Sequence, residues 1–526
     1  MILKLKNNYL KFIIPFFLGI ATSFSLPPYN YFFINFITFP TILFFFIKNY
    51  KNSKWTSFKI GWMFGFAYFI SNLYWITNSL TFDENFKPLI PIAIISIPLF
   101  LGIFYGIATL IISFFNPKEN FSSIIIFSLA FSIIEYLRSF LIGGFPWNLI
   151  AYSWTNYLTT LQIISFIGTY AFNLLSITIF LLPIVIFYKK NLKIKFFTIL
   201  FLFICLLANH FFGTLQIQDN RKNIKNLDFI IKIISPKIDI SRFLKYEDPE
   251  KSIKELINLS NPQKNKKTIF ILPEVVLTNV YFEDLKKYKK IFYENYSKDH
   301  IIIMGIRSNK IIDGESNIYN SLIVIDHNVN LLSKYDKNKL VPFGEFLPFE
   351  NFLSKFGLKK ITQGYQSFSS SNKREIINIY NKNFLPLICY EIIYSGKLKK
   401  FSHNVDFIIN ISEDGNINDK INIKISEDGW FGNSVGPHQH FSHSIFRAIE
   451  EGKYLIRSAN KGTSAYINPN GKIISKLEST EKGVIEVKEF KITKKTFFAA
   501  QGNKIFFYFL IFYISLFFFI NRREQR

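Results

Sequence analysis

Residues 383–392 read NFLPLICYEI, a short apolar run that ends in a cysteine, a tyrosine and a glutamate. An apolar run of this length with polar flanks is typical of a buried strand. Cys389 stands at its end, and residues that follow a strand often carry the chemistry of an α/β domain. The chain has only two cysteines, so the segment predicts a buried strand that presents a candidate nucleophile.

The same kind of apolar run, rich in Ile and Val, recurs through residues 213–500 and alternates with charged, helix-like stretches. Besides the segment above, the predicted strands are IIKIIS, KTIFILPE, HIIIMGIRS, YNSLIVID and VDFIINIS, and HFSHSIFRAIEEGKYLIRSA predicts a helix followed by a strand. Alternating strands and helices favour an α/β layered fold. We therefore expect residues 213–500 to form a water-facing α/β domain.

Two further polar motifs follow predicted strands. ILPEVVLTN places Glu274 directly after a strand and a proline, and YDKNKLVPFGEFLP places Lys337 and Glu345 in a loop. A thiol with an ordinary pKa of about 8.5 is mostly protonated at neutral pH, so it needs a base or a nearby cation to react. Glu274 could take the thiol proton. Lys337 could stabilise the thiolate and then the oxyanion of a tetrahedral intermediate, together with the backbone N–H that follows the nucleophile.

Each member of this trio also has a purely structural interpretation. A single cysteine in an apolar strand is more often a small buried hydrophobe. Glu274 could cap a helix, and Lys337 is one lysine among many, which are usually solvated. Only the order and local context of Glu274, Lys337 and Cys389 together favour catalysis.

The rest of the chain is far more apolar than this domain. Apolar residues make up 49% of the sequence, and phenylalanine alone occurs 63 times. A helix that crosses the hydrocarbon core of a bilayer needs roughly 20 mostly apolar residues. Eight such runs predict an eight-helix transmembrane body: about 11–27, 31–48, 58–80, 88–115, 121–142, 160–187, 192–212 and 504–521. The chain then divides into residues 1–212, 213–500 and 501–526.

Basic residues cluster at alternate ends of the predicted spans. They are Lys48, Lys51, Lys54, Lys59, Lys118, Lys189, Lys190, Lys193, Lys195, Arg522, Arg523 and Arg526. The positive-inside rule places these clusters and both termini in the cytoplasm, and counting crossings places residues 213–500 outside the cytoplasmic membrane. The net charge of +25 therefore does not favour a nucleic-acid partner, because much of it marks membrane topology.

One predicted loop, EYLRSFLIGGFPWNLIAYSW, carries charges at a membrane boundary. Glu135 and Arg138 stand three residues apart, and Trp147 follows two glycines and a proline. The favoured interpretation is an interfacial turn with a tryptophan anchor and a surface ion pair, because charges at this depth must be paired or solvated. A lipid-entry surface is the alternative. Cys205 lies within an apolar run, where we expect it to face lipid or another helix rather than to pair with Cys389.

Several segments resemble those of bacterial apolipoprotein N-acyltransferases: PEVV, YDKNKLVPFGEFLP, ICYEI, DGWFGNSVGPHQH…RAIE…IRSANKG and GFPWN. The resemblance covers almost the whole chain. It implies a nitrilase-like α-β-β-α sandwich set in a multi-span body of the bacterial inner membrane, with the catalytic domain on the periplasmic side. It also implies that Glu274 is the general base, Lys337 the oxyanion-stabilising residue and Cys389 the nucleophile.

The resemblance extends to supporting residues and to the reaction. Glu345 matches the family's second carboxylate, and Tyr390 and Glu391 match the residues that follow its nucleophile. The implied reaction is ping-pong acyl transfer from a phospholipid, through a cysteine thioester, to the α-amino group of a diacylglyceryl-cysteine at the N-terminus of an apolipoprotein. We expect no cofactor, no metal site and a monomer.

One segment departs from the family pattern, and two groups of side chains need a separate interpretation. NISEDG at 410–415 is nearly repeated by KISEDG at 424–429, which indicates a local tandem duplication, and Glu427 stands where the family usually has asparagine. His438, His440 and His443 match no established ligand spacing, so we expect a helix N-terminal region packed near the site rather than a metal centre. Arg447 and Glu450 are expected to form a structural helix pair.

Two other functions remain to be separated from acyl transfer. A membrane-tethered amidase or nitrilase would use the same trio with water as the second acceptor, but a tether needs only one span. A transporter with an external binding domain would place charged residues along a pathway within the spans, and most of the predicted spans lack them.

Overall fold

The computed structural model describes residues 9–82, 86–219, 224–243, 246–346, 367–399, 401, 404–414 and 431–525. The chain builds a helical body and a domain of two β-sheets. The helices of the body are α1 Leu10–Ser23, α2 Asn35–Asn49, α3 Lys54–Leu73, α4 Ile90–Phe114, α5 Phe121–Arg138, α6 Leu158–Leu161, α7 Ile164–Leu181 and α8 Leu192–Asp219. The other helices are α9 Pro249–Ser260, α10 Lys289–Asn295, α11 Gly436–Glu451, α12 Phe497–Gln501 and α13 Lys504–Gln525.

In the described part of the chain, each of the eight predicted apolar runs coincides with a helix, and these helices are α1 to α5, α7, α8 and α13. Six helical segments in the described part of the chain are long and apolar enough to cross a membrane: Phe32–Asn49, Lys87–Phe114, Phe121–Arg138, Ile164–Phe187, Leu192–Gln218 and Lys504–Gln525. Leu10–Ser23 is apolar but shorter. The apolar helical body is therefore confirmed, and the number of eight spans stays a prediction.

Small residues bring α3 and α4 into direct backbone contact. A Cβ atom at Gly61 would lie 2.3 Å from the carbonyl oxygen of Tyr105, and a Cβ at Gly102 would lie 2.9 Å from the backbone nitrogen of Phe66. Helices in lipid associate through such close packing, since apolar surface gains nothing from leaving lipid tails. These glycines therefore fix the pairing of the two helices.

The prediction of a surface ion pair at Glu135 and Arg138 is wrong. Both side chains are 1% exposed, and Arg138 Nε donates to Glu135 Oε2 at 2.9 Å. Arg138 also donates to the carbonyl of Phe145, whose own N–H donates to the Arg138 carbonyl at 2.9 Å. The pair can be buried because its hydrogen bonds are satisfied by the turn that it holds.

The second part of the chain contains two six-stranded sheets. The strands are β1 Lys225–Ser235, β2 Thr268–Ile271, β3 His300–Ile312, β4 Glu315–Ile325, β5 Leu331–Asp336, β6 Ile377–Ile379, β7 Lys382–Ile388, β8 Phe407–Glu413, β9 Tyr454–Asn460, β10 Ser464–Ile467, β11 Ile473–Leu477 and β12 Gly483–Phe490. The strand orders are β12-β1-β2-β3-β4-β5 and β11-β10-β9-β8-β7-β6. In each sheet the central strands are parallel: β1, β2 and β3 in one, and β7, β8 and β9 in the other.

The two sheets pack face to face with helices on both outer faces. Ile231 and Ile271 of the first sheet share a buried core with Ile388 and Ile411 of the second. Helices α9 and α10 cover the outer face of the first sheet, and α11 covers that of the second. The α-β-β-α sandwich is thus confirmed, and all six predicted strands and the predicted helix-then-strand segment are present.

Helix α11 also joins the sandwich to the helical body. Its apolar residues belong to the same buried cluster as those of the body. Arg447 and Glu450 form the expected pair, with Arg447 Nε 3.0 Å from Glu450 Oε2. Glu450 also accepts from the N–H of Thr169 at 2.6 Å and from Ser395 Oγ at 2.7 Å. The sheet that carries Cys389 is therefore held directly against the helices.

Candidate active site

The Glu274 side chain is presented by the loop that follows β2. The N–H of Gly305 in β3 donates to the Pro273 carbonyl at 3.0 Å, and its carbonyl accepts from the Val276 N–H at 3.0 Å. A Cβ atom at position 305 would lie 2.5 Å from the Glu274 Cα, so glycine is required for this close approach. The loop is thereby held against β3, and Glu274 is 5% exposed.

Lys337 directly follows β5 and lies in an ion-paired cluster with two carboxylates. Its Nζ is 3.2 Å from Glu274 Oε1 and 2.9 Å from Glu345 Oε1, and its side chain is 1% exposed. Burial alone would lower the pKa of Lys337, but the charges of Glu274 and Glu345 raise it well above its ordinary value. Lys337 is therefore a fixed cation at neutral pH.

Cys389 follows β7 and begins the short 3₁₀ turn Cys389–Ile393. Its φ of +47° lies in the left-handed region, which is unfavourable for a residue with a side chain. Burial and the charge of Glu274 raise the pKa of the thiol, while the charge of Lys337 lowers it. The net effect is a rise, so the resting side chain is a thiol.

The residues after Cys389 fix this turn. Glu391 Oε2 accepts from the Ile388 N–H at 2.9 Å, and Oε1 accepts from Tyr335 Oη at 2.6 Å and from Arg374 Nη2 at 2.8 Å. Tyr390 instead reaches the helical body, where its hydroxyl donates to the Gly144 carbonyl at 2.8 Å. The structure therefore brings all six predicted site residues into one region at the ends of strands.

Two contributors to this region had no predicted role. Asn320 Nδ2 donates to Glu274 Oε1 at 2.7 Å and to Glu345 Oε1 at 3.0 Å, so it bridges the two carboxylates. The Glu413 N–H donates to Glu274 Oε2 at 2.9 Å. Asn320 lies inside a predicted strand, where nothing in the sequence marks it. Glu413 lies in the first copy of the duplicated motif, whose repetition does not indicate a contact with Glu274.

The first copy of the duplicated motif supplies the end of β8. Glu413 forms a buried ion pair with Arg242 and accepts from Asn460 Nδ2 at 3.1 and 3.0 Å. Burial raises the pKa of Glu413 to about 7, although Arg242 acts in the opposite direction. The second copy, at 424–429, lies outside the described residues. Within the described part of the chain, the first copy is the one beside Glu274.

The three histidines lie on α11, as expected of a helix near the site. His438 is exposed, whereas His440 and His443 are buried. No group of histidine, cysteine, aspartate and glutamate side chains suited to hold a metal ion occurs among the described residues.

Cys205 lies exposed on α8, in agreement with a lipid-facing position.

An α-β-β-α sandwich with a cysteine, a glutamate and a lysine at its strand ends defines a protein of the carbon-nitrogen hydrolase class. The family model described as carbon-nitrogen hydrolase matches residues 237–488, and the model described as apolipoprotein N-acyltransferase N-terminal domain matches residues 18–182. Both halves of the chain are thus matched, each by a different model.

Relatives match both halves together. A protein of Rickettsia prowazekii named apolipoprotein N-acyltransferase is 31% identical, over 86% of this chain and 88% of that protein. One of the same name from Agrobacterium fabrum is 30% identical, over 89% of this chain and 88% of that protein. The chain belongs to the apolipoprotein N-acyltransferase family. Among solved structures, an amidase from Nesterenkonia sp. is 12% identical, with a TM-score of 0.34, over 51% of this chain and 92% of the amidase.

Proposed function

We propose that this protein transfers a fatty acyl chain from a membrane phospholipid to the N-terminal diacylglyceryl-cysteine of apolipoproteins, through a thioester on Cys389. The observation that carries the proposal is the position of Cys389. The charges of Glu274 and Lys337 both act on the pKa of its thiol, and its sheet packs against an apolar helical body. A site for two substrates that are held by lipid must lie close to the bilayer, and the packing of this sheet on the apolar body supports the proposal.

In the first half-reaction Cys389 becomes acylated. Glu274 takes the thiol proton while Sγ attacks the ester carbonyl carbon of the phospholipid. The negative charge that develops on the carbonyl oxygen is stabilised by the Lys337 ammonium group. The tetrahedral intermediate collapses by breaking the bond from carbon to the alcohol oxygen, which takes the proton back from Glu274. The products are a thioester on Cys389 and a lysophospholipid.

In the second half-reaction the acyl chain moves to the acceptor. The neutral α-amino group of the diacylglyceryl-cysteine attacks the thioester carbonyl, and Glu274 accepts a proton from that nitrogen. The carbon–sulfur bond breaks as the amide forms, and the departing thiolate takes the proton from Glu274. Excluding water from the site between the two steps would protect the thioester from hydrolysis.

Three further residues have supporting roles in this proposal. Glu345 shares Lys337 with Glu274 and so holds the ammonium group in place. Glu391 fixes the backbone on the N-terminal side of Cys389. Tyr390 connects the nucleophile's turn to the helical body through the Gly144 carbonyl. None of the three exchanges a proton with substrate.

The cellular arrangement follows from the same proposal. The protein lies in the bacterial inner membrane, with residues 213–500 on the periplasmic side, residues 1–212 as the main transmembrane body and residues 501–526 as a last span with a cytoplasmic tail. The basic clusters at alternate span ends support this orientation. We propose that the protein works as a monomer, without a cofactor and without a nucleic-acid partner.

The test uses the purified protein with a phospholipid and a synthetic diacylated lipopeptide. Mass spectrometry should find the lipopeptide heavier by one acyl chain, together with an equal amount of lysophospholipid. Lysophospholipid without an N-acylated peptide would contradict acyl transfer and would indicate a hydrolase. The relatives, whose similarity extends over the helical body, do not support that alternative. Full activity of Cys389→Ala would instead favour a non-catalytic protein such as a transporter.

A further inference from the structure

The nucleophile's turn has a second backbone contact that the mechanism above does not use. Its N-terminal side is held by Glu391, which accepts from the Ile388 N–H. On the other side, Nε2 of His440 lies 3.3 Å from the carbonyl oxygen of Cys389. A carbonyl oxygen can only accept, so this contact is a hydrogen bond in the tautomer that carries its proton on Nε2. The backbone of Cys389 is thus held on its N-terminal side by Glu391 and at its carbonyl by His440.

The histidine ring itself is fixed by a buried charged cluster. Its Nδ1 lies 3.0 Å from Asp414 Oδ1 and 3.2 Å from Arg457 Nη2. Asp414 is in turn held by Arg457 Nη2 at 2.6 Å and by Ser412 Oγ at 2.5 Å. His440 is fully buried. A ring held in this way keeps its Nε2 directed toward the nucleophile's carbonyl.

One face of the His440 ring contacts the helical body. Trp147, from the loop after α5, stacks on His440 with ring centroids 5.4 Å apart and planes inclined by 27°. The Trp147 indole N–H donates to Gln439 Oε1 at 2.8 Å, one residue before His440 on α11. The position of His440 is therefore set both by the sandwich and by the helices beneath it.

We propose that His440 is a positioning residue for Cys389. Its N–H donates to the Cys389 carbonyl and so holds the Cys389 backbone in the left-handed conformation. This conformation keeps Sγ directed toward Glu274 and Lys337. The inference rests on the proposed acyl transfer and adds a residue to it. Because a misdirected nucleophile slows the chemical step, the loss of this hydrogen bond lowers the rate constant of acylation. We expect phospholipid binding to be unaffected, since the His440 ring is fully buried.

The test compares two substitutions of similar size and shape. His440→Gln keeps an N–H donor at the end of an unbranched side chain, whereas His440→Met has none. The control is His443→Met, which also replaces a buried histidine of α11. The His443 ring packs against Trp147 and Tyr152 at centroid distances of 5.3 and 4.3 Å, so this variant reports the cost of disturbing the same aromatic packing. Each full-length variant is purified in detergent and mixed with phospholipid alone, and the acylated chain is followed by intact mass.

We expect the maximal rate constant of acylation to fall about ten- to hundredfold in His440→Met, with the phospholipid concentration that gives half-maximal rate unchanged within about twofold. His440→Gln should remain within about threefold of the wild type, and so should His443→Met. Equal acylation rate constants in the Met and Gln variants of His440, or an equal loss in His443→Met, would overturn the proposal. An experimental structure of the wild type with the His440 ring turned away from the Cys389 carbonyl would overturn it without any variant. Absence of acylation in the wild type would instead refute the proposed function itself.

Discussion

The ammonium nitrogen of Lys337 lies 3.2 Å from Oε1 of Glu274, and both side chains are almost completely buried. Their positions in the chain are 63 residues apart, and they meet because each follows a strand of the same sheet. A buried ion pair is costly to desolvate and adds little stability, so its value here lies in the charge pattern beside the thiol. The carboxylate can accept the thiol proton only while the ammonium group balances its charge.

Lys337→Ala should abolish thioester formation and destabilise the domain. The substitution leaves Glu274 and Glu345 buried without their cation, and removing one partner of a buried pair costs about 3–5 kcal/mol. The measurement is acyl-enzyme formation by mass spectrometry together with thermal unfolding in detergent. The matched control is Lys334→Ala, because Lys334 lies in β5, the strand that precedes Lys337, and pairs with Asp336 at 3.1 Å where both are partly exposed. Its loss should cost less than about 1 kcal/mol. A trapped acyl-enzyme that forms at the wild-type rate in Lys337→Ala would contradict the assignment.

Glu274→Gln should separate the two effects of this carboxylate on the thiol. The charge of Glu274 raises the pKa of Cys389, so the substitution lowers that pKa and makes the thiolate more abundant. Acylation by phospholipid should nevertheless fall at least about a hundredfold, because the proton acceptor and donor are lost. The measurement compares alkylation by iodoacetamide with acylation in the same preparation. Glu294→Gln, at an exposed glutamate, is the control. Parallel changes in the two rates would count against a general-base role.

Alkylation of Cys389 should depend on pH in a defined direction. The pKa of the thiol is raised above its ordinary value, so the thiolate is scarce at pH 7 and grows about tenfold per pH unit as the pH rises toward that pKa. The alkylation rate in a Cys205→Ala background, where Cys389 is the only thiol, should therefore still be rising at pH 9. A rate that levels off below pH 7 would show an ionised resting thiolate and would contradict the description of the site.

Glu413→Gln should change how stability depends on pH. Burial raises the pKa of Glu413 in the folded protein from 4.5 to about 7, so the folded state keeps a proton that the unfolded state loses in this window. The wild type should therefore lose stability between about pH 4.5 and 7, by on the order of 1–3 kcal/mol, whereas the Gln variant lacks this loss. The measurement is the difference in Tm between the two proteins at pH 5 and pH 8. If the Tm difference between the wild type and the Gln variant is the same at pH 5 and pH 8, the raised pKa of Glu413 is contradicted.

Two of the three proposed catalytic residues could be located from the sequence because each stands at the end of a recognisable strand. KTIFILPE and NFLPLICYE have the Ile- and Leu-rich character of buried strands and end at Glu274 and Cys389. Lys337 could be assigned only to a loop, because the strand it follows, β5, was not among the predicted strands. The partners of the trio could not be found in this way. Asn320 lies 46 residues from Glu274 and Glu413 lies 139 residues from it, so only the three-dimensional pairing of strands brings them together.

The error at Glu135 and Arg138 has a similar physical cause. Two charges three residues apart on an apolar helix share one face, but the sequence does not show whether that face meets lipid headgroups or another helix. In the structure that face lies against α4, where the Tyr105 hydroxyl donates to Glu135 Oε1 at 2.5 Å. The pair is therefore an internal support for the turn that carries Trp147 rather than a surface feature.

The most direct measurement is the mass of the protein after incubation with phospholipid in the absence of any acceptor. We predict that the intact chain gains the mass of one fatty acyl group, that the peptide containing Cys389 carries it, and that hydroxylamine, which cleaves thioesters, removes it. Cys389→Ser should show no such thioester, and Cys205→Ala should be acylated like the wild type. An acyl group found on any other residue, or lysophospholipid released by Cys389→Ala at the wild-type rate, would contradict a mechanism that depends on this thiol.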